Sequence, residues 1–542
     1  MKNKDKDKTP TFALTLSLVV SPKEEKELLS RFESARHVYN ACLCEAKKRV
    51  MLVKQSKLST QAKKLPKGNK KRNELFKAAR NKYNFSDYSL QAYAAELRYK
   101  IVNKLDAHTV QKLATRAFEA VEKILYGKAK NVRFKGYNHI NSVESKSNEA
   151  GIRWRNDHVE WNGLCLKAII YLEDQVVAHG LRHRVKYCRI LREEIKGRNC
   201  FYVQLLLEGK PFIKEKNKLG KGIVCFDIGP STIATVAKND KNEFHATLAE
   251  FCPELKPKEK EVRILQRSID RQRRKANPNN YHPNKKIKNG KHKWTKSKRQ
   301  LKNEAQLREV HRTTVEHRKS LHGKMINETL RLGNVFKTEK FSKKWLQKLY
   351  GRSIGKRAPG MYVSGVKRKA ESAGGLFTEI PTRPTKLSQS CICPRQQKKK
   401  LSQRVHGCEC GVVAQRDLFS AYLGIFVEKV VEGKLEKYVL QATQAKQCWA
   451  SADTLLQAAW RKAVVESASR GHCPSSFGKP VVSPSQSGSL VKEGIAEFEV
   501  RNVVPAIAGI AGGESPKENK VVSFRTYGVS DPSRVSAIPG NL

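Results

Sequence analysis

The chain has no uninterrupted run of eighteen apolar residues, so no segment is long enough to cross a bilayer as a helix and a membrane partner is not expected. Its opening, MKNKDKDKTP, leads into no apolar core of the signal-peptide kind, so a cytoplasmic setting is the expectation. Acidic residues are scarce, with 51 Asp and Glu against 107 Lys and Arg and a formal net charge of +56. Between positions 271 and 300 there is no Asp or Glu at all, while twelve Lys or Arg are present. A surface with that excess repels itself unless a polyanion shares it, which makes nucleic acid the natural partner. The 13 Cys are odd in number and mostly scattered, which excludes an extracellular disulfide framework and fits a reducing compartment.

What is present organises into several folded parts, as 542 residues require. TFALTLSLV alternates as a first strand. Ser21, Pro22 and Glu24 then form a helix start with a capping box, and the apolar spacing continues it to about residue 50. Helical patterning resumes at SDYSLQAYAAEL and over 107–126, whereas GIRWRNDHVEWNG and FYVQLLLEG are strand-like. The reading is an α/β multidomain chain that opens with a small β-barrel, residues 1–20 and 131–215, interrupted by a helical insert over 21–130. From Lys221 three short strands follow, GIVCFDIG, STIATVAKN and EFHATLAEF, as in the opening meander of an RNase-H-like domain spanning 216–380 and 412–432. A cysteine-bearing insertion occupies 381–411. The helix that begins near Asp417 is expected to end near Gly433, and 433–542 forms a C-terminal extension, partly disordered, with one helix across ADTLLQAAWRKAVVES.

Three acidic residues stand next to apolar elements. Asp227 follows the run IVCF, Glu339 follows LGNVF, and Asp417 precedes an apolar helix. Each has a plain alternative, as a turn residue, a helix-start carboxylate and a helix cap respectively. Hydrolysis of a phosphodiester by two Mg²⁺ ions about 4 Å apart requires several carboxylates to meet in a basic cleft. Cys391, Cys393, Cys408 and Cys410 gather within twenty residues, yet each pair has one intervening residue where Zn²⁺ knuckles usually have two. A four-sulfur Zn²⁺ site, one with His406 as substitute ligand, and a knuckle held by packing alone all stay open. Arg271, Arg273, Arg274 and Lys275 exceed one helical face, and Trp294 lies in the basic stretch beyond them, a pattern suited to phosphates and base stacking. On the first helix Lys26, Arg31, Arg36 and Lys47 are either phosphate contacts or solvated charges. Trp154 and Trp161 are either core or interface.

Four segments, FDIGPSTIATV, ILQRSIDRQRRKANPN with KWTKSKRQ, NVFKTEKFSKKWLQKLYGRSI, and CECGVVAQRDLFSAY, resemble the RuvC core of transposon-encoded TnpB proteins and compact type V CRISPR nucleases. The resemblance covers about residues 8 to 432. It implies a wedge and a recognition insert in the N-terminal part, a target-nucleic-acid-binding zinc ribbon before the last acid, and Asp227, Glu339 and Asp417 as the catalytic, Mg²⁺-binding set. It implies a guide RNA and double-stranded DNA opened into an RNA–DNA heteroduplex as partners, with the chain acting as a monomer or homodimer. The expected activity is RNA-guided cleavage of both DNA strands; guided binding without cleavage, an unguided transposase and an RNA scaffold are the alternatives. One departure bears on this choice. Family members commonly carry Asn-Ala-Ala one residue after the last Asp, where this chain has Phe419, Ser420 and Ala421.

Overall fold

A computed structural model describes residues 9–478 apart from 67, 101–103, 256, 341–342, 394, 401, 433–434 and 472–474. Most of the expected C-terminal extension, from 479 on, lies outside the described residues. The chain is mixed α/β with several sheets and divides into two compact units, Met1–Lys214 and Glu215–Leu542.

In the first unit the capping box forms: the Ser21 N–H donates to Glu24 Oε2 at 2.7 Å, and the Glu24 N–H donates to Ser21 Oγ at 3.4 Å. The helix it starts, Pro22–Gln55, buries Leu28, Phe32, Ala35, Val38 and Cys42. A four-stranded antiparallel sheet runs in the order Thr11–Ser17, Arg198–Glu208, Val185–Ile195, Ser142–Glu144, beside a three-stranded sheet of Arg153–Arg155, His158–Trp161 and Leu164–Lys167. Bonds from Val19 N–H to Lys167 O and from Ile169 N–H to Ser17 O, both 2.8 Å, join the two sheets. Trp161 is fully buried and donates from Nε1 to Asp106 Oδ2 at 2.9 Å. Arg31 is also internal. Its guanidinium lies over the Trp161 ring and donates to the Trp161 and Asn162 carbonyls, so it is a tertiary fastener with no free face for a phosphate.

The second unit holds a five-stranded sheet in the order Phe244–Glu250, Thr232–Lys238, Ile223–Ile228, Val335–Glu339, Leu376–Ile380. The first three strands of this unit are an antiparallel meander, and the last two add in parallel to the Asp227 strand. Parallel strands need both faces covered. One face packs on Phe251, Tyr362 and Val366 with the long helix Lys298–Arg331. The other lies under the helix Arg416–Ile425, in which every residue from Asp417 on is buried.

Gly222 fixes the alignment of the two central strands. At φ +124°, with the Lys238 carbonyl against it, the position excludes a side chain. Its own carbonyl accepts from the Asn334 and Val335 N–H groups at 3.0 and 3.1 Å.

Beyond the Asp417 helix the sequence expectation fails. That helix stops at Ile425, and Val427–Glu432 pairs with Leu435–Leu440 as a hairpin. Val427, Val430 and Val431 between charged residues favour an extended chain over further helix, which the apolar count alone did not reveal. The helix suggested across 452–467 runs Trp449–Ser469, with Trp460 fully buried and bonded through Nε1 to Phe477 O at 2.8 Å. Residues 435–471 thus belong to the body of this unit.

Candidate functional site

Asp227 and Glu339 become neighbours through strand register. Phe226 pairs with Thr338 across the parallel ladder, so the next residues, Asp227 and Glu339, stand side by side on strands about 4.8 Å apart. Side chains alternate along a strand. Cys225 faces Gly424, and Lys337 donates from Nζ to the Ile425 and Val427 carbonyls at 2.7 and 2.8 Å. Two residues on, Asp227 and Glu339 therefore point to that same face. The helix crosses it in the opposite sense, its C-terminal end over Cys225 and Lys337, so its first turn brings Asp417 to the two acids. All three line one cavity of about 270 Å³.

The plain readings of these acids do not hold. Asp227 is a paired strand residue opposite Ala234, and Glu339 ends a strand. The helix that Asp417 would cap on the plain reading is capped instead by Gln415, whose Oε1 accepts the Leu418 N–H at 2.7 Å.

Burial, then the charges of Asp417 and Glu339, raise the Asp227 carboxyl well above the usual carboxylate range. Burial, with Asp417 adding to it, pushes Glu339 up to about 7. Glu339 Oε1 is buried without a hydrogen-bond partner. Crowded, desolvated carboxylates with an unsatisfied oxygen are a donor set for hard cations. Among the described residues the four-cysteine group alone converges tightly enough to grip a single ion. Around them Lys399, Arg404 and Arg416 line the same cavity, with Ser388, Gln389 and Tyr350. Arg416 Nε donates to Asp417 Oδ1 at 3.0 Å and its Nη1 to Gln403 O at 2.9 Å.

The cysteines do come together. Cys391 and Cys410 lie 3.5 Å apart sulfur to sulfur, Cys393 and Cys408 3.6 Å, and all four within 4.8 Å of one another. These separations are far longer than a disulfide bond and close to the edge, roughly 3.8 Å, of a tetrahedron with Zn–S bonds of about 2.3 Å. The short Cys-x-Cys spacing is met by pairing across the loop: the first cysteine of one pair sits with the last of the other. The group fits Zn²⁺. His406 is not a fifth claimant, because its ring stacks on Phe419 at 4.3 Å between centroids and contacts Lys399. Burial and that lysine lower the His406 ring to about 4.

Phe419 is buried on the helix that carries Asp417. It packs between His406 and Trp449, the latter 5.2 Å away edge-on. Phe419 is thereby an apolar link between this helix and the cysteine loop. No sequence signal announced it, since Trp449 and His406 are distant in the chain.

The basic segment is more ordered than its composition suggests. Arg271, Arg273, Arg274 and Lys275 occupy the end of the helix Pro257–Ala276. The Asn277 side chain ties the loop beyond, accepting from the Thr295 N–H at 2.7 Å and donating to the Arg273 and Thr295 carbonyls. Arg273 lies 3.9 Å over the Trp294 ring, and Tyr281 meets the same ring edge-on. One face of Trp294 is thus covered by Arg273, and Arg274 is paired with Asp270. Arg271 and Lys275 remain exposed.

No protein family matches the sequence, and no curated protein does. Among solved structures the chain is similar to a Cas12f1–sgRNA–target DNA complex at 12% identity, over 77% of this chain and 98% of that one, with a TM-score of 0.37. It is also similar to a CRISPR-Cas12f ternary complex at 12% identity, over 74% of this chain and 81% of that one, with a TM-score of 0.24. At that identity and TM-score neither likeness decides what this chain does.

Proposed function

We propose that the chain is an RNA-guided DNA endonuclease that hydrolyses phosphodiesters at Asp227, Glu339 and Asp417. The observation that carries this is the meeting of three acids, Asp417 buried and Asp227 and Glu339 half-buried, from two parallel strands and a crossing helix, in a cavity that Lys399, Arg404 and Arg416 also line. The strand order, a three-stranded meander extended by two parallel strands, supports an RNase-H-like core of the RuvC kind. The motif resemblance to TnpB and type V nucleases is the support for guidance by RNA. The joined sheets and helices of the first unit are compatible with its reading as wedge and recognition insert, and the cysteine loop with a zinc ribbon that contacts target nucleic acid.

A pair of Mg²⁺ ions bound here would supply an activated water and charge for the leaving oxygen. Asp227 and Asp417 would hold the ions, and Glu339 would hold one of them. Glu339 Oε1, free of any protein partner, accepts a hydrogen bond from the attacking water and orients it. Lys399 and Arg404 face the negative charge that builds on the phosphoryl oxygens. In-line attack leaves a 5′-phosphate and a 3′-hydroxyl.

The test is purification with bound RNA, sequencing of that RNA, and incubation with matching duplex DNA and Mg²⁺. One discrete RNA species and cutting that Asp227→Ala abolishes without loss of binding are expected. Firm target binding with no scission at high protein concentration would leave guided binding as the function, and heterogeneous RNA would remove guidance.

A further inference from the structure

The second unit has another cavity, of about 590 Å³, that none of the three acids lines. It opens among the helix Pro257–Ala276, the middle of the helix Lys298–Arg331 and the end of the helix Lys343–Arg357. Its volume is within the range of small-molecule sites, roughly 300–1,000 Å³, and exceeds what a lone phosphate would fill. Two chemistries meet in it. Leu255, Val262 and Val315 give it an apolar wall. Lys258, Arg263, Arg318, Arg352 and Lys356 bring five cations, against the single carboxylate of Glu259.

The cations are not equally engaged. Lys356 is paired with Glu259 at 2.9 Å, and Lys258 Nζ donates to Thr313 Oγ1 at 2.8 Å. Arg318 is held in place by donating from Nη1 to the Gly355 and Lys356 carbonyls at 3.2 and 2.9 Å, while its Nε is buried with no partner. A fixed guanidinium with a buried donor unmet, beside a second guanidinium exposed at Arg352, is an incomplete arrangement that an anion with several acceptor oxygens completes.

We propose that this cavity receives one nucleotide, with its base against Leu255, Val262 and Val315 and its phosphate at Arg318 and Arg352. The ligand chemistry is a nucleoside phosphate, whose source is either one unstacked nucleotide of a bound strand or a free mononucleotide. The strand source rests on the nucleic-acid reading above; the free source does not.

The experiment uses the full chain, with single-stranded oligonucleotides carrying 2-aminopurine at successive positions, and AMP as the free probe followed by calorimetry. Binding of a strand nucleotide gives a fluorescence rise at one position, not displaced by AMP. A free-nucleotide site gives AMP binding without that rise. In either case Arg352→Ala, an exposed change, weakens the signal or the AMP affinity by about tenfold, and Val315→Trp, which fills the apolar wall, removes it. Unchanged melting temperatures separate these effects from misfolding, and Arg352→Ala alone suffices if Val315→Trp does not fold. The absence of both a position-specific rise and AMP binding in the unaltered chain overturns the proposal, even where oligonucleotides bind. Oligonucleotides that fail to bind at all overturn the nucleic-acid reading, and the AMP measurement then decides this one.

Discussion

Asp227 and Glu339 are held in the fold at a cost in free energy. Their carboxyls titrate higher in the folded chain than in the unfolded one, so the unfolded chain releases protons first as pH rises. Stability without divalent ions is then full below the ordinary carboxylate range and is lost as pH climbs. For Glu339 that window runs from its ordinary 4.5 to about 7, with a loss on the order of 3 kcal/mol. Thermal melting of the metal-free protein across that window should show a falling midpoint, and added Mg²⁺ should restore it. Asp227→Asn removes a buried charge that has no compensating ion, so its metal-free form should melt higher than the unaltered protein at neutral pH while cutting is abolished. A lower midpoint for that variant would mean that the carboxylate is a structural partner and not a cation ligand. At this scale the residues were visible in the sequence but their roles were not separable from turn, helix-start and cap. Their difference from those readings lies in register and packing, which no local pattern contains.

The element that ties the site together is the helix Arg416–Ile425, fastened at both ends. Lys337, on the Glu339 strand, donates to the carbonyls of Ile425 and Val427, and its replacement by Met should cost about 1–3 kcal/mol by leaving those groups unpaired. Denaturant titration measures this. At the other end Phe419, 1% exposed, packs on His406 in the cysteine loop, so Phe419→Ala should cost roughly 3–5 kcal/mol. Removal of Zn²⁺ from the four cysteines with a chelator should loosen that loop, seen as faster proteolysis around residues 391–410, and reduce cutting while Asp227 and Glu339 stay in place. A metal content of zero in the freshly purified protein, with the loop equally resistant, would put the four thiols down to packing. The capping box at Ser21 and Glu24 was legible because a cap is local. The crossing of sulfur pairs was not, because Cys-x-Cys spacing says nothing of which pair folds back on which, and the early end of the Asp417 helix was missed because apolar content does not distinguish a buried helix from the edge of a hairpin.

For the whole molecule the governing quantity is charge. With 107 Lys and Arg in 542 residues, nucleic-acid affinity should fall steeply with salt, by on the order of a thousandfold between about 50 and 200 mM, as for proteins that displace six or more counterions. Filter binding at several salt concentrations checks the slope, and a flat response would argue against phosphate contacts as the main source of affinity. The sequence by itself led to an α/β reading and to the expectation of a polyanionic partner, since alternating strands, amphipathic helices and net charge are properties of the order and kind of residues. Which basic side chains stay free for that partner was decided only by tertiary structure: Arg31 is spent on the Trp161 carbonyl and Arg273 on the Trp294 ring. The same holds for the acids. The sequence supplied three carboxylates on separate segments, but their meeting depends on a strand register set at Gly222 and on a helix laid across it, contacts between residues 88 to 112 positions apart whose geometry only packing can fix.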